Sequence, residues 1–373
     1  MKLLVYLGHP AHFHLFRFVI RRMRENGHEV SILARKKDVL EELLREEGWE
    51  FQNVSPRLRS ENIFGMVGAM IGRQRAIFRE AIRNRPDLMI GTSAEIGHVG
   101  RLLGIRSIVV NEDDADVVPL FANLAYPFCN HILAPGCCRM GRWAYKTVFY
   151  ESYHELAYLH PNFFKPDREV VEEFHRSDEP YFIVRFAQLS AHHDNGRKGI
   201  AGKTARDLIE LLASKGTVYI TSERKLEPEF EKYRISLDAS KIHHALAFAT
   251  LYVGDSQTMA AEAAVLGTPS LRFNDFVQEI SYLNELENRY GLTYGIATGE
   301  PKRLFRLVEK YANREIKKEW ARRREAMLDE KVDLATYLVR FLQNYPQSVT
   351  AFDETPEEKS PTGGELKQLP VIE

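Results

Sequence analysis

The sequence predicts an α/β protein with two Rossmann-like, doubly wound parallel-sheet domains facing each other across a cleft, and three observations carry that prediction. The chain has 373 residues, more than one hydrophobic core usually organises. Short apolar runs alternate with longer amphipathic stretches, which is the pattern of βαβ units. The alternation stops at the aromatic, proline-bearing stretch His160-Pro161-Asn162-Phe163-Phe164-Lys165-Pro166 and then starts again. The domains are therefore expected at 1–162 and 163–345, with the last helix able to pack back on the first domain and a disordered tail at 346–373.

In the first half, Leu3-Leu4-Val5-Tyr6-Leu7 reads as a strand, followed by a Gly-His-Pro loop and a helix from about Phe13 to Glu25, with Gly27 suited to a left-handed C-cap. Glu29 to Leu33 is the second strand, and a charged helix from Lys37 to Glu46 leads towards Phe51. Further strands are expected at Leu88-Met89-Ile90, at 107–110 and at His131-Ile132-Leu133. After the linker, strands are expected at 181–184, 217–220, 251–253 and 270–273, with helices at 204–213, 243–247, 301–311 and 316–344. Residues 346–373 are rich in Pro, Gly, Ser, Thr and Glu and show no apolar period, so they bury too little surface to offset their ordering entropy.

Composition narrows the function. The formal net charge is -1, from 51 basic and 52 acidic residues, which argues against nucleic acid as the main partner. No apolar run approaches the ~20 residues that span a bilayer, and the N-terminus opens into a strand without a signal-peptide pattern, so a cytoplasmic location is expected. Cys129, Cys137 and Cys138 lack zinc-site spacing and are expected to be free thiols.

The most informative stretch is Gly254-Asp255-Ser256-Gln257-Thr258, which follows a strand and opens an Ala-rich helix that ends at Gly267-Thr268-Pro269. Asp255 or Ser256 can cap that helix. Its free amides and dipole suit an anion, Ser256 and Thr258 add hydroxyls for a diphosphate, and Glu262, one turn on, can accept ribose hydroxyls. An ordinary capped βα unit with Glu262 in solvent is the alternative.

At the end of the first strand, Gly8, His9, His12 and His14 can orient phosphate or exchange protons near neutral pH, or can simply be loop and capping residues. His12 and His14 lack the spacing of a zinc helix, and Gly8-His9-Pro10 is not a dinucleotide fingerprint. Gly91-Thr92-Ser93-Ala94-Glu95 and Asn111-Glu112-Asp113-Asp114-Ala115-Asp116 leave two central strands. Crowded carboxylates there raise a pKa and suit Glu112 as a base, with a solvated acidic loop as the alternative. In the second half Arg185 can clamp phosphate and His192 can support it, or both can be surface charge. Between Arg57 and Arg85, arginines interleave with Ile63, Phe64, Met66, Val67, Met70 and Ile71. That pattern fits peripheral membrane contact or a helix packed on its sheet.

Gly8-His9-Pro10, Asn26-Gly27-His28-Glu29-Val30, Glu155-Leu156-Ala157-Tyr158-Leu159-His160-Pro161 and the stretch from Gly254 to Pro269 together resemble an uncharacterised archaeal and bacterial family, the domain of unknown function numbered 354. That family is similar to the non-hydrolysing UDP-N-acetylglucosamine 2-epimerases and to glycosyltransferases of the GT-B fold. The resemblance implies a nucleotide-diphosphate sugar, the UDP form favoured, as substrate, with no cofactor or metal required. Asp255, Ser256 and Glu262 match the epimerase diphosphate and ribose motif, whereas Gln257 and Thr258 replace its two glycines. Glu112 alone survives of the epimerase acid turn, and the Arg185-to-Asp194 stretch does not reproduce the histidine-arginine loop. Glycosyl transfer, with His12 or Glu112 as base and Arg185 at the leaving group, therefore ranks before epimerisation and before non-catalytic sugar-nucleotide binding. Gly8, His9, Ser93 and His192 complete the expected binding set. Implied partners are the sugar donor and a glycan or lipid-linked acceptor in polysaccharide synthesis; a homodimer is left open.

Overall fold

The computed structural model describes residues 1–35, 39–54, 63–188 and 199–351, with backbone alone at 63–67, 69, 70 and 351. The first sheet is seven-stranded and parallel: β1 (Lys2–Leu7), β2 (Glu29–Ala34), β3 (Gln52–Asn53), β4 (Leu88–Gly91), β5 (Arg106–Val110), β6 (His131–Pro135) and β7 (Thr147–Tyr150) lie in the order β3-β2-β1-β4-β5-β6-β7. Helices α1 (Pro10–Glu25), α2 (Leu40–Glu46), α3 (Ile63–Asn84), α4 (Ala94–Leu103) and α5 (Pro119–Ala125) connect them. The central strands are buried on both faces, so Leu3 to Leu7 and Leu88 to Gly91 read as continuous apolar runs. The order reverses between β1 and β4, and such a switch point opens a crevice at the carboxyl ends of the strands.

The second sheet contains β8 (Tyr181–Phe186), β9 (Thr217–Ser222), β10 (Leu251–Gly254), β11 (Ser270–Phe273) and β12 (Thr293–Ile296) in the order β12-β11-β10-β8-β9. Its switch point lies between β8 and β10. Helices α6 (Arg168–Glu172), α7 (Gly202–Ala213), α8 (Ile242–Phe248), α9 (Gln257–Val265), α10 (Ser281–Asn288), α11 (Pro301–Tyr311), α12 (Lys317–Glu330), α13 (Leu334–Gln343) and α14 (Ser348–Ala351) complete the described chain. Helix α9 is buried along most of its length because its alanines let it lie close against β10 and β11.

The chain passes between the halves at 151–166 and returns at 331–334, and the two passages are bonded to each other. Val332 N donates to Glu151 O at 2.8 Å, Ser152 Oγ donates to Val332 O at 2.6 Å, and the buried Lys331 ammonium lies 3.0 Å from both Glu151 and Glu285. Helix α13 then packs on α1. Gln343 Nε2 lies 3.3 Å from His28 Nε2 and His131 Nδ1 lies 2.8 Å from the Tyr345 hydroxyl.

Several expectations need correction. The first helix starts at Pro10, because proline presets the first helical φ and the His9 ring accepts from Ala11 N at 3.2 Å as an N-cap. The helix expected at 316–344 is broken at 331–333, where Asp333 caps α13 by accepting from Thr336 N at 3.0 Å. Strands β3, β7 and β12 and helices α4 and α10 add to the expected set. Residues 348–351 are helical, with Ser348 Oγ bonded to Phe341 O at 2.8 Å, where a structureless tail was expected; 352–373 lie outside the described residues. Of the arginine-rich stretch, 55–62 lie outside them as well, and Arg73 in α3 is paired inward with Glu95 at 2.7 Å. Among the described residues no helix is long and apolar enough to cross a membrane.

Candidate functional site

A cavity of about 300 Å³ lies between the two sheets, lined by His12, Thr92, Asn111, Glu112 and Asp113 from the first domain, by His154, Glu155 and Tyr158 from the connecting segment, and by Thr258 from α9. The wall is built from the segments that follow β1, β4 and β5, His12 lying in the first turn of α1, which is why a histidine, a threonine and a carboxylate cluster distant in sequence come together. The ring of His12 spans the first switch point: Gly8 N donates to its Nδ1 at 3.1 Å, and Thr92 Oγ1 lies 2.6 and 2.7 Å from its two nitrogens.

The Glu112 carboxylate accepts from His154 N at 3.3 Å, and its other oxygen lies 3.4 Å from His154 Nδ1. Burial, with the Asp113 charge next, holds the Glu112 carboxyl well above its ordinary value. Burial likewise lowers His154 to about 4, so the ring is neutral near pH 7. Glu155 is 1% exposed, and neither of its oxygens has a hydrogen-bond partner; the same is true of His154 Nε2. Burial and then the Glu112 charge push the Glu155 carboxyl well above the usual carboxylate range. Neither His154 nor Glu155 was singled out from the sequence. The readable signal was a carboxylate immediately before the apolar run Leu156-Ala157-Tyr158-Leu159.

The second domain contributes the first turn of α9 to the lining. Ser256 caps it by accepting from Met259 N at 3.3 Å, and Ser256, Gln257 and Thr258 are partly exposed, with Thr258 facing the cavity. Gly254 is needed for close packing: a Cβ there would meet the Tyr252 hydroxyl and lie 2.9 Å from Arg185 Cβ.

Four residues expected to bind ligand have other occupations. Asp255 is 2% exposed, and its oxygens accept from Ala187 N at 2.6 Å and Ile200 N at 3.1 Å, so it ties together the loops of the second switch point. Burial raises it to about 6 despite those amides. Ser93 caps α4 and donates to Glu95, which pairs with Arg73. The guanidinium of Arg185 donates to Thr221 Oγ1 and to Glu223, so a phosphate would have to displace a carboxylate. Glu262 is 6% exposed and one of its oxygens accepts from the Tyr158 hydroxyl at 2.8 Å and lies 3.0 Å from His243 Nε2. Glu262 does face the gap between the halves, but there the gap is filled by protein, with the His14 ring 5.1 Å from both Tyr158 and His243. Burial opposes ionisation of Glu262, yet His243, His14 and the Tyr158 hydroxyl together hold the carboxyl below its ordinary value. His192 lies outside the described residues.

Asp114, deeper in the same acidic loop, is fully buried. It accepts from Arg139 N at 2.6 Å and, across the gap, from Ser281 N at 2.8 Å. Among the described residues no group of three His, Cys, Asp or Glu side chains could hold a metal ion.

The fold recurs in solved structures of low sequence identity. The UDP-GlcNAc 2-epimerase of Neisseria meningitidis bound to UDP-GlcNAc superposes with a TM-score of 0.64 at 12% identity, covering 92% of this chain and 100% of that one. The epimerase of Methanocaldococcus jannaschii in complex with UDP-GlcNAc and UDP gives 0.66 at 13%, covering 92% and 99%. The spinosyn forosaminyltransferase SpnP gives 0.60 at 13%, covering 94% and 99%. The architecture is thus that of GT-B enzymes, both epimerases and glycosyltransferases. No curated protein matches the chain. Residues 1–280 match the model of a family described as a protein of unknown function, DUF354, and the chain belongs to that family.

Proposed function

We propose that the protein is a glycosyltransferase that takes a nucleotide-diphosphate sugar, the UDP form first, and passes the sugar to a glycan or lipid-linked acceptor. One observation carries the reading: a single cavity is lined both by Thr258, in the partly exposed first turn of α9, and by the Glu112, Asp113 and Glu155 carboxyl groups. The helix amides at Gln257 and Thr258 suit a diphosphate. Glu112, with its raised pKa, is a stronger base than a solvated carboxylate and takes the proton of an acceptor hydroxyl. The acceptor oxygen bonds to the anomeric carbon, the carbon–oxygen bond to the diphosphate breaks, and its electron pair leaves with the diphosphate. His12 orients the wall through Thr92. Arg185 reaches the leaving group only by releasing Glu223, and the ribose is held by groups other than Glu262.

Calorimetric titration with UDP, GDP, CDP and dTDP tests the reading; micromolar binding of one of them is expected, and binding of none refutes it. A 2-epimerase activity is the second reading, favoured by the second buried carboxyl, Glu155, beside Glu112. Solvent deuterium appearing at the sugar C2 without an acceptor would establish it in place of transfer.

A further inference from the structure

We infer that Glu155 and the Nε2 of His154 form a subsite for the uncharged hexosyl group of the nucleotide sugar. The inference rests on the proposed nucleotide-sugar function and adds to it the chemistry of the sugar.

Three polar atoms on two consecutive residues are buried without a partner, and both residues line the same cavity: the two carboxyl oxygens of Glu155 and Nε2 of His154. An unmet buried polar group is destabilising, so folded proteins rarely leave such groups in one place unless something else completes them. The groups that face Glu155 are Glu112 from the first domain, His154 beside it, Tyr158 further along the connecting segment, and Glu262 and Tyr282 from the second domain. None of these described groups is a lysine or arginine; the guanidinium of Arg272 acts on Tyr282. Burial and the Glu112 charge thus favour the neutral carboxyl, which offers one O–H donor and one carbonyl acceptor. His154, also neutral, faces Glu112 through Nδ1, which leaves Nε2 for the cavity.

A neutral carboxyl beside a neutral imidazole matches the mixed donors and acceptors of sugar hydroxyls. It does not match an anion, which would meet the charge of Asp113 on the same wall. The geometry of the cavity fits this division. Thr258 at the start of α9, where the diphosphate is proposed to sit, lines the same cavity as Glu155, so a sugar attached to that diphosphate shares the cavity with the Glu155 carboxyl. The subsite accordingly selects glucose-like or N-acetylhexosamine-like sugars and rejects uronic acids.

The test is titration of the full chain with UDP, UDP-glucose and UDP-glucuronate at pH 7, for wild type, Glu155→Gln and Glu155→Leu. In wild type UDP-glucose is expected to bind about tenfold more tightly than UDP and than UDP-glucuronate, and Glu155→Gln, neutral and of the same shape, keeps that increment. In Glu155→Leu the increment disappears while UDP affinity stays within about twofold, the effect of about one lost hydrogen bond. Retention of the increment in Glu155→Leu, or tighter binding of UDP-glucuronate than of UDP-glucose, overturns the inference while leaving nucleotide binding intact. A second measurement is independent of the nucleotide. The infrared difference spectrum of wild type against Glu155→Gln should contain a protonated-carboxyl band at pH 7 that shifts on saturation with free glucose. A shift without any UDP affinity upholds the sugar subsite and removes the nucleotide; absence of the band or of its shift overturns the subsite.

Discussion

Truncation of Glu262 to alanine separates two roles that the sequence alone could not distinguish. One oxygen of this buried carboxylate serves both the Tyr158 hydroxyl, at 2.8 Å, and His243 Nε2, at 3.0 Å. Removing it strands two buried polar groups, each at a cost of roughly 1–3 kcal/mol, and relieves the cost of burying the carboxylate itself. The net expectation is about 3 kcal/mol of lost stability, read from urea unfolding followed by circular dichroism at pH 7.5. Glu262→Gln keeps the shape and one carbonyl acceptor and should lose about half as much. If the carboxylate instead waits for ribose hydroxyls, Glu262→Ala leaves stability unchanged and weakens nucleotide binding. A stability loss below about 1 kcal/mol would refute a structural role for Glu262 between Tyr158 and His243.

Two further outcomes follow from the same geometry. Glu112→Gln should keep the fold and reduce turnover of a nucleotide sugar by roughly 10²–10⁴-fold, measured as nucleotide release; a loss smaller than threefold would remove Glu112 from the chemistry. Burial depresses His14 to about 3 and His154 to about 4 in the folded chain, below the ordinary 6.5. A histidine depressed in this way contributes stability above pH 6.5 that is lost as the pH falls towards the folded value. From pH 8 to pH 5 each should therefore cost about 2 kcal/mol. The difference in this loss between wild type and His14→Leu isolates the His14 share, because the raised carboxyls Glu112 and Glu155, which act in the opposite sense, are common to both. Equal losses in the two proteins would contradict the burial of that ring.

Much of the architecture was readable because the central strands are covered on both faces and must be apolar throughout, as in Leu3-Leu4-Val5. Where that pressure is absent the reading failed: Gln52–Asn53 is a short exposed edge strand, and Thr293–Ile296 carries a threonine and a glycine. The cleft loops were found because histidines, threonines and carboxylates at strand ends are uncommon in a core. Which of them face the cavity was not readable. Serine and aspartate occur in ligand-binding loops and are also the types that satisfy loose backbone amides, and in this fold Ser93 caps α4 and Asp255 joins two loops. His154 and Glu155 were missed for the opposite reason. They sit in a connector with no period to interpret, and the Glu112 that gives them meaning is 42 residues away from His154.

The paired passages at Glu151-Ser152 and Lys331-Val332 also restrict how the two halves can move. Two lengths of backbone laced side by side behave as a piano hinge: they permit swinging about one line and resist sliding along it. Displacement then grows with distance from the seam, so a small angular change leaves Lys331 with its two glutamates and is felt most at the far rim. A ligand large enough to need more room between Thr258 and Glu112 would be admitted by rotation, at the expense of contacts that lie away from the seam, the Asp114 bond to Ser281 among them.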